Sequence, residues 1–145
     1  MKTVLQRVSN ASVSVDKQVI GNITQGIVIF VGFTHSDTEQ IVRKRVKKIL
    51  ECRIFNDSNH KMNLSIQKVE GEILLVSQFT LYADCRKGNR PNFIQAAIPD
   101  KAKGLYNMMI KEFENQYKSI QTGKFGAMME ISLINDGPVT IIMEE

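Results

Sequence analysis

Ala11, Val13 and Val15 alternate with Ser12, Ser14 and Asp16 near the start of the chain, the two-residue period of a strand with one face buried and one wet. Gly26 to Gly32 reads differently. Five apolar residues, Ile27 to Val31, stand between two glycines with no polar residue among them, which predicts a central strand covered on both faces. Ser36-Asp37-Thr38-Glu39 has the S-x-x-E form of a capping box, and Ile41, Val42, Val46, Ile49 and Leu50 then share one side of a helical wheel. This pattern predicts a first helix over about Thr38 to Leu50.

Glu72 to Ala83 is rich in β-formers but carries Ser-Gln-Phe-Thr in its middle. Pro99 suits the first turn of a second helix, in which Ala102, Leu105, Met109, Phe113 and Tyr117 recur at helical spacing as core positions. Ala127 to Ile134 and Val139 to Met143 read as apolar strands joined by Asn135-Asp136-Gly137-Pro138, a hairpin-like pair. The sum is an α+β layout, or barrel, of strands with two main helices.

The 145 residues contain no linker, repeat or low-complexity tract, so one domain, 1–145, is expected. No leader opens the sequence and no apolar run is long enough to cross a bilayer, which makes the cytoplasm the expected compartment. The net charge of +4 is a weak pointer to a polyanionic partner. Its placement says more. Arg43, Lys44, Arg45, Lys47 and Lys48 fall together, and Arg86, Lys87 and Arg90 form a second group. Arg43, Lys44, Lys47 and Lys48 take the polar side of the first helix, as either a solvated face or an RNA-facing stripe.

Two cysteines, Cys52 and Cys85, form no C-x-x-C pair and read as reduced thiols. The two histidines, His35 and His60, lie far apart outside any ligand motif, so no metal is expected, and no cofactor. G-x-S-x-G, the P-loop and G-x-G-x-x-G are all absent from the sequence, which removes three common kinds of catalytic site.

Two stretches resist a packing explanation. Ser77-Gln78-Phe79-Thr80-Leu81 puts hydroxyl and amide groups into an apolar run, where they bond across the sheet or serve a ligand. Asn135 to Thr140 is either a turn between strands or a functional segment. Ser77 to Leu81 matches the Ser-Gln-Phe-Thr-Leu motif, and Asn135 to Thr140 the Asn-x-Gly-Pro-Val-Thr motif, of the D-aminoacyl-tRNA deacylases, and the chain resembles this family closely. Similar too are Leu5-Gln6-Arg7-Val8-Ser9 with Ala11-Ser12-Val13, Arg53-Ile54-Phe55, Lys61-Met62-Asn63-Leu64-Ser65 and Tyr82-Ala83-Asp84. Arg86-Lys87-Gly88 with Arg90-Pro91, and Thr122-Gly123 with Phe125-Gly126-Ala127, complete the set. Asn59-His60 departs from the acidic-Gly pair common in the family at that point.

The resemblance implies a barrel-like α/β fold, a homodimer with active sites at the dimer interface, and hydrolysis of the ester in D-aminoacyl-tRNA. Mischarged Gly-tRNA is a further candidate substrate, and a non-catalytic RNA-binding module is the alternative reading. It implies that Gly137-Pro138 is a cis peptide reaching into the partner's site to exclude L-aminoacyl groups, with Arg7 holding it. Ser77, Gln78 and Phe79 would bind substrate. Thr80 is the candidate nucleophile or a positioning group, with the 2′-hydroxyl of the tRNA as the competing source of catalysis. Phe125, Ala127 and Met129 would wall a pocket for the terminal adenine, or else pack as core. Phosphate contacts are expected from Arg43, Lys44, Lys47, Lys48, Arg86, Lys87 and Arg90.

Overall fold

The computed structural model describes residues 1–144. Its organising element is a 14-residue strand, β1 (Lys2–Val15). Along one edge β1 pairs antiparallel with β3 (Gly26–Gly32) and then with β2 (Gln18–Ile23), while β8 (Glu130–Glu144) pairs antiparallel over nearly its full length. β3 pairs parallel with β6 (Glu72–Ser77), and β6 parallel with β7 (Ile120–Thr122). The sheet curls until β2 meets β7: a Cβ on Gly21 would lie 3.5 Å from both the Gln121 Cβ and the Thr122 carbonyl. The result is a mixed sheet nearly closed into a barrel, with two helices packed on it. A small antiparallel pair, β4 (Phe55–Asn56) with β5 (Met62–Leu64), stands apart.

The doubly apolar run of β3 is central, and of its seven residues only Phe30 is not fully buried. Leu5, Ile27, Ile29, Val31, Ile73 and Leu75 face the helices α1 (Glu39–Leu50) and α2 (Pro99–Gln116). The alternate residues of the same strands face the barrel interior. There Val8, Val13, Val28, Leu74 and Val76 meet Met129, Ile131 and Leu133. Period-2 alternation thus serves two cores at once.

Three sequence expectations need correcting. The helix cap is Thr38, whose side chain accepts the Ile41 N–H, and not Ser36 of the apparent capping box. Asp37 turns inward instead, where its carboxylate accepts from the Met1 amine at 2.6 Å and the Thr34 N–H at 2.7 Å. The apolar run from Glu72 to Ala83 is a strand only as far as Ser77; Phe79–Tyr82 is a 3-10 turn. The terminal hairpin does not form. β8 runs through the Asn-Asp-Gly-Pro segment as one strand, pairing Asn135 with Val8 and Thr140 with Gln6, so that four residues bulge out opposite Arg7. A turn signal ends a strand only when no long neighbour carries it across, and β1 does.

Candidate active site

A cavity of about 760 Å³ opens at the end of the barrel interior. Ser77, Gln78, Phe79 and Thr80 form one wall, Phe125 to Met129 another, and Phe93 with Ala96 to Pro99 a third, with Val76 and Ile131 among its other lining residues. The polar residues that interrupt the apolar run are therefore not buried in a sheet. They lie where β6 ends and the chain turns.

The Gln78 N–H donates to the Val31 carbonyl at 2.7 Å, extending the ladder one residue past β6, and the Leu81 and Ala83 N–H groups close the 3-10 turn on the Gln78 and Thr80 carbonyls. The N–H groups of Phe79 and Thr80 open that turn and have no carbonyl within it to bond. Phe79 is exposed and meets Phe93 edge-on, with ring centroids 5.0 Å apart. The Thr80 hydroxyl accepts from the Gln78 side-chain amide at 2.5 Å. An amide cannot take a proton from it. Neither histidine lines the cavity; His35 Nε2 is 2.8 Å from the Ile94 carbonyl, and His60 sits in the β4–β5 loop.

The opposite wall is fixed from behind by Tyr106 of α2. Its buried hydroxyl donates to the Leu75 carbonyl at 2.8 Å, with the Gly123 carbonyl at 3.3 Å, and its ring packs 5.7 Å from Phe125. Burial pushes this phenol's pKa well above its ordinary range. Gly123 lets Met129 approach, since a Cβ there would come 2.7 Å from the Met129 sulfur.

Gly137-Pro138 lines no part of this cavity. The peptide bond between them is cis, and Asp136, Gly137 and Pro138 are all exposed on the bulge of β8. The bulge is gripped from inside by Arg7, which is 6% exposed. Arg7 Nε lies 3.1 Å from both the carbonyl and the carboxylate of Asp136, and Nη1 donates to the Ile54 carbonyl at 2.7 Å. Gly137 has φ of +127°, and a Cβ on it would fall 2.7 Å from Val139 Cγ2 and 2.9 Å from Arg7 Nη2. No other residue fits there without displacing the arginine.

A family model described as D-Tyr-tRNA(Tyr) deacylase matches residues 4–144. The chain belongs to the D-Tyr-tRNA(Tyr) deacylase family. D-aminoacyl-tRNA deacylases of Bacillus cytotoxicus and Bacillus cereus are each 54% identical to it over 144 residues, covering 99% of both chains. A solved structure titled c-Myc DNA Unwinding Element Binding Protein superposes with a TM-score of 0.95 at 41% identity, over 100% of this chain and 99% of that one. A probable eukaryotic D-amino acid tRNA deacylase, 20% identical, shares the fold with a TM-score of 0.82 over 98% and 97% of the two chains.

In this deacylase-family chain the basic residues divide. Arg43 pairs with Glu39 at 3.2 Å and approaches Glu112 at 3.8 Å, and Lys47 lies 3.9 Å from Glu51. Arg45 is buried and donates to the Thr3 hydroxyl at 3.0 Å. Lys44 and Lys48 are exposed on α1, as are Lys87 and Arg90 on the loop after the 3-10 turn. Arg86 is committed to Asp84 through its side chain and its backbone N–H, at 2.8 to 3.0 Å, which holds the Asp84 carboxyl down at about 2. Among the described residues no three of His, Cys, Asp and Glu converge as a metal site, and no helix is long and apolar enough to cross a membrane.

Sequence reasoning missed Phe93, Ile98 and Tyr106. Tyr106 sits one residue from Leu105 in the helical pattern and reads as ordinary core. Its signal is the hydroxyl, which a buried tyrosine must spend on a partner.

Proposed function

We propose that this chain hydrolyses the ester that joins a D-amino acid to the terminal ribose of tRNA. The observation that carries the reading is the cavity with the Ser77–Thr80 main chain on one wall and Phe125, Ala127 and Met129 on another, in a chain matched end to end by a deacylase family. Phe125 and Met129 offer apolar faces for the terminal adenine, and the opening of the 3-10 turn offers N–H donors to the ester carbonyl as negative charge grows on it. An aminoacyl ester is already activated. Positioning a water and stabilising the oxyanion suffices to hydrolyse it quickly.

Thr80 positions substrate in this mechanism. Its side-chain partner is an amide with no basicity, so nothing prepares the hydroxyl to attack. The vicinal 2′-hydroxyl of the tRNA is the better placed assistant, being carried by the substrate itself.

The active unit is a homodimer in which Gly137-Pro138 of each chain enters the cavity of the other. This segment is exposed, firmly held and no part of the cavity lining of its own chain, while Phe79, Ile98 and Met128 leave an apolar rim open around that cavity. Backbone carbonyls there stand where an L side chain would project and leave a D side chain free. Exclusion discriminates better than attraction, because small apolar differences are worth only about 1–3 kcal/mol. Glycine has no side chain to exclude, so Gly-tRNA is a second substrate on this account.

The test is release of tyrosine from D-Tyr-tRNA and L-Tyr-tRNA by the purified protein, with its mass in solution measured in parallel. Hydrolysis of the D ester alone, by a dimer, is expected and should survive EDTA. An RNA-binding module without activity would retain the tRNA and release neither amino acid.

A further inference from the structure

We infer that Asn135 is a positioning residue for stereochemical discrimination: its carboxamide closes the neck of the bulge that carries Gly137-Pro138. The inference rests on the reading that this segment rejects L-aminoacyl groups. Strands β1 and β8 part after Val8↔Asn135 and rejoin at Gln6↔Thr140, leaving Asp136 to Val139 opposite Arg7 alone. A side-chain amide has two N–H donors. Asn135 spends them on the Arg7 carbonyl of β1 and the Val139 carbonyl of β8, each at 3.0 Å, the last two acceptors before the strands rejoin.

The bulge is therefore held at two levels. Arg7 grips its first residue, Asp136, and anchors it to the Ile54 carbonyl. Asn135 fixes the width of the neck, which sets how far Gly137 and Pro138 stand out from the sheet and in which direction. Neither task is needed for β8 to pair with β1, since the register runs on for several residues on both sides. A steric filter depends on placement, and a shift of about 1 Å in a positioning element is enough to change a rate a hundredfold. Asn135 touches no atom of its own cavity, so its effect falls on selectivity more than on hydrolysis as such.

Asn135→Asp keeps the shape but turns both donors into acceptors facing two carbonyls, and Asn135→Ser shortens the side chain out of reach of at least one. Initial rates on D-Tyr-tRNA and L-Tyr-tRNA are compared with the parent, with Gly137→Ala as a third arm. The D to L rate ratio is expected to fall tenfold or more in both Asn135 variants, through a rise in L-Tyr-tRNA hydrolysis. A general loss of structure would lower both rates together and leave the ratio alone. If one Asn135 variant fails to fold, the other supplies the ratio; if both fail, Asn135 is a folding residue and the inference is overturned. A parental ratio in a folded Asn135 variant, with rates altered in Gly137→Ala, overturns it while leaving the exclusion reading intact. Parental rates on both substrates in Gly137→Ala would remove the exclusion reading itself.

Discussion

The chain leaves its sheet at two polar interruptions, after Ser77 and after Asn135, and resolves them in opposite ways. β6 stops at the first, because its parallel neighbours give out one after the other: the ladder with β7 ends at Leu75↔Thr122 and that with β3 at Val31↔Ser77. The backbone, released from pairing, turns and lines the cavity. β8 passes through the second, because β1 continues alongside and recaptures it at Thr140. Of its four unpaired residues Asp136, Gly137 and Pro138 go outward, and Val139 turns back against the core. One interruption thus yields a turn that lines a cavity, and the other a braced projection on the surface. The difference lies in how far the neighbouring strand extends, not in the polar residues themselves.

Replacing the brace should do the most damage. Arg7→Ala leaves the Ile54 and Asp136 carbonyls without their charged donor, at a cost of about 2–3 kcal/mol. Urea unfolding would measure the loss, and L-Tyr-tRNA should become a substrate. A variant of parental stability would mean the projection braces itself. The first interruption should prove more forgiving. Thr80→Ala is expected to keep kcat within about tenfold, whereas removal of a covalent nucleophile costs roughly 10,000-fold or more. A trapped acyl-Thr80 would reverse the assignment.

The remaining tests sharpen the comparison at its margins. If both interruptions serve only the aminoacyl end, other residues must hold the rest of the tRNA. Lys44→Ala with Lys48→Ala should then reduce the slope of log K against log salt by about 1 to 2 and leave the D to L ratio as it was. An unchanged slope returns α1 to an ordinary solvated face. Just beyond the 3-10 turn, Asp84 should titrate near 2, and in Arg86→Ala higher but still below the ordinary 3.8, because the backbone N–H of residue 86 keeps its bond to the carboxylate. Because the folded pKa is depressed, the pair is intact above about pH 4 and is lost as pH falls through 2; carboxyl NMR shifts would follow it. The smallest effect belongs to the loop after β4, whose Ile54–Asn56 approach anchors Arg7. His60 has φ of +57° there, and His60→Gly should stabilise the fold by about 0.5–1 kcal/mol in thermal unfolding.

Much of the architecture was legible because periodicity reports burial directly. β3, α1 and α2 follow from runs and spacings that fit one kind of element each. The errors share a cause. Ser36-x-x-Glu39 looks like a cap until the Met1 amine claims Asp37, and Gly137-Pro138 looks like a turn until β1 is seen running past it. Both decisions are made by residues more than thirty positions away. The cavity was partly legible: Ser77 to Thr80 with Phe125, Ala127 and Met129 do come together. Phe93 and Ile98 were not, because a loop without period gives no hint of which side chain it turns inward.

The pairing of β1 with β8 also bears on how the protein is made. β1 is synthesised more than a hundred residues before β8, the strand that covers one whole edge of it, with Lys2 joined to Glu144. At 5–20 residues per second, translation keeps that edge open for roughly ten seconds. Met129, Ile131 and Leu133, which close the barrel interior, arrive in the same final segment. The nascent chain therefore carries an unpaired strand edge and an uncovered apolar face until β8 is made, two features that invite association with other chains. A chain cut short before β8 would keep that edge open permanently, which makes loss of this strand a proteostasis problem as well as a loss of enzyme.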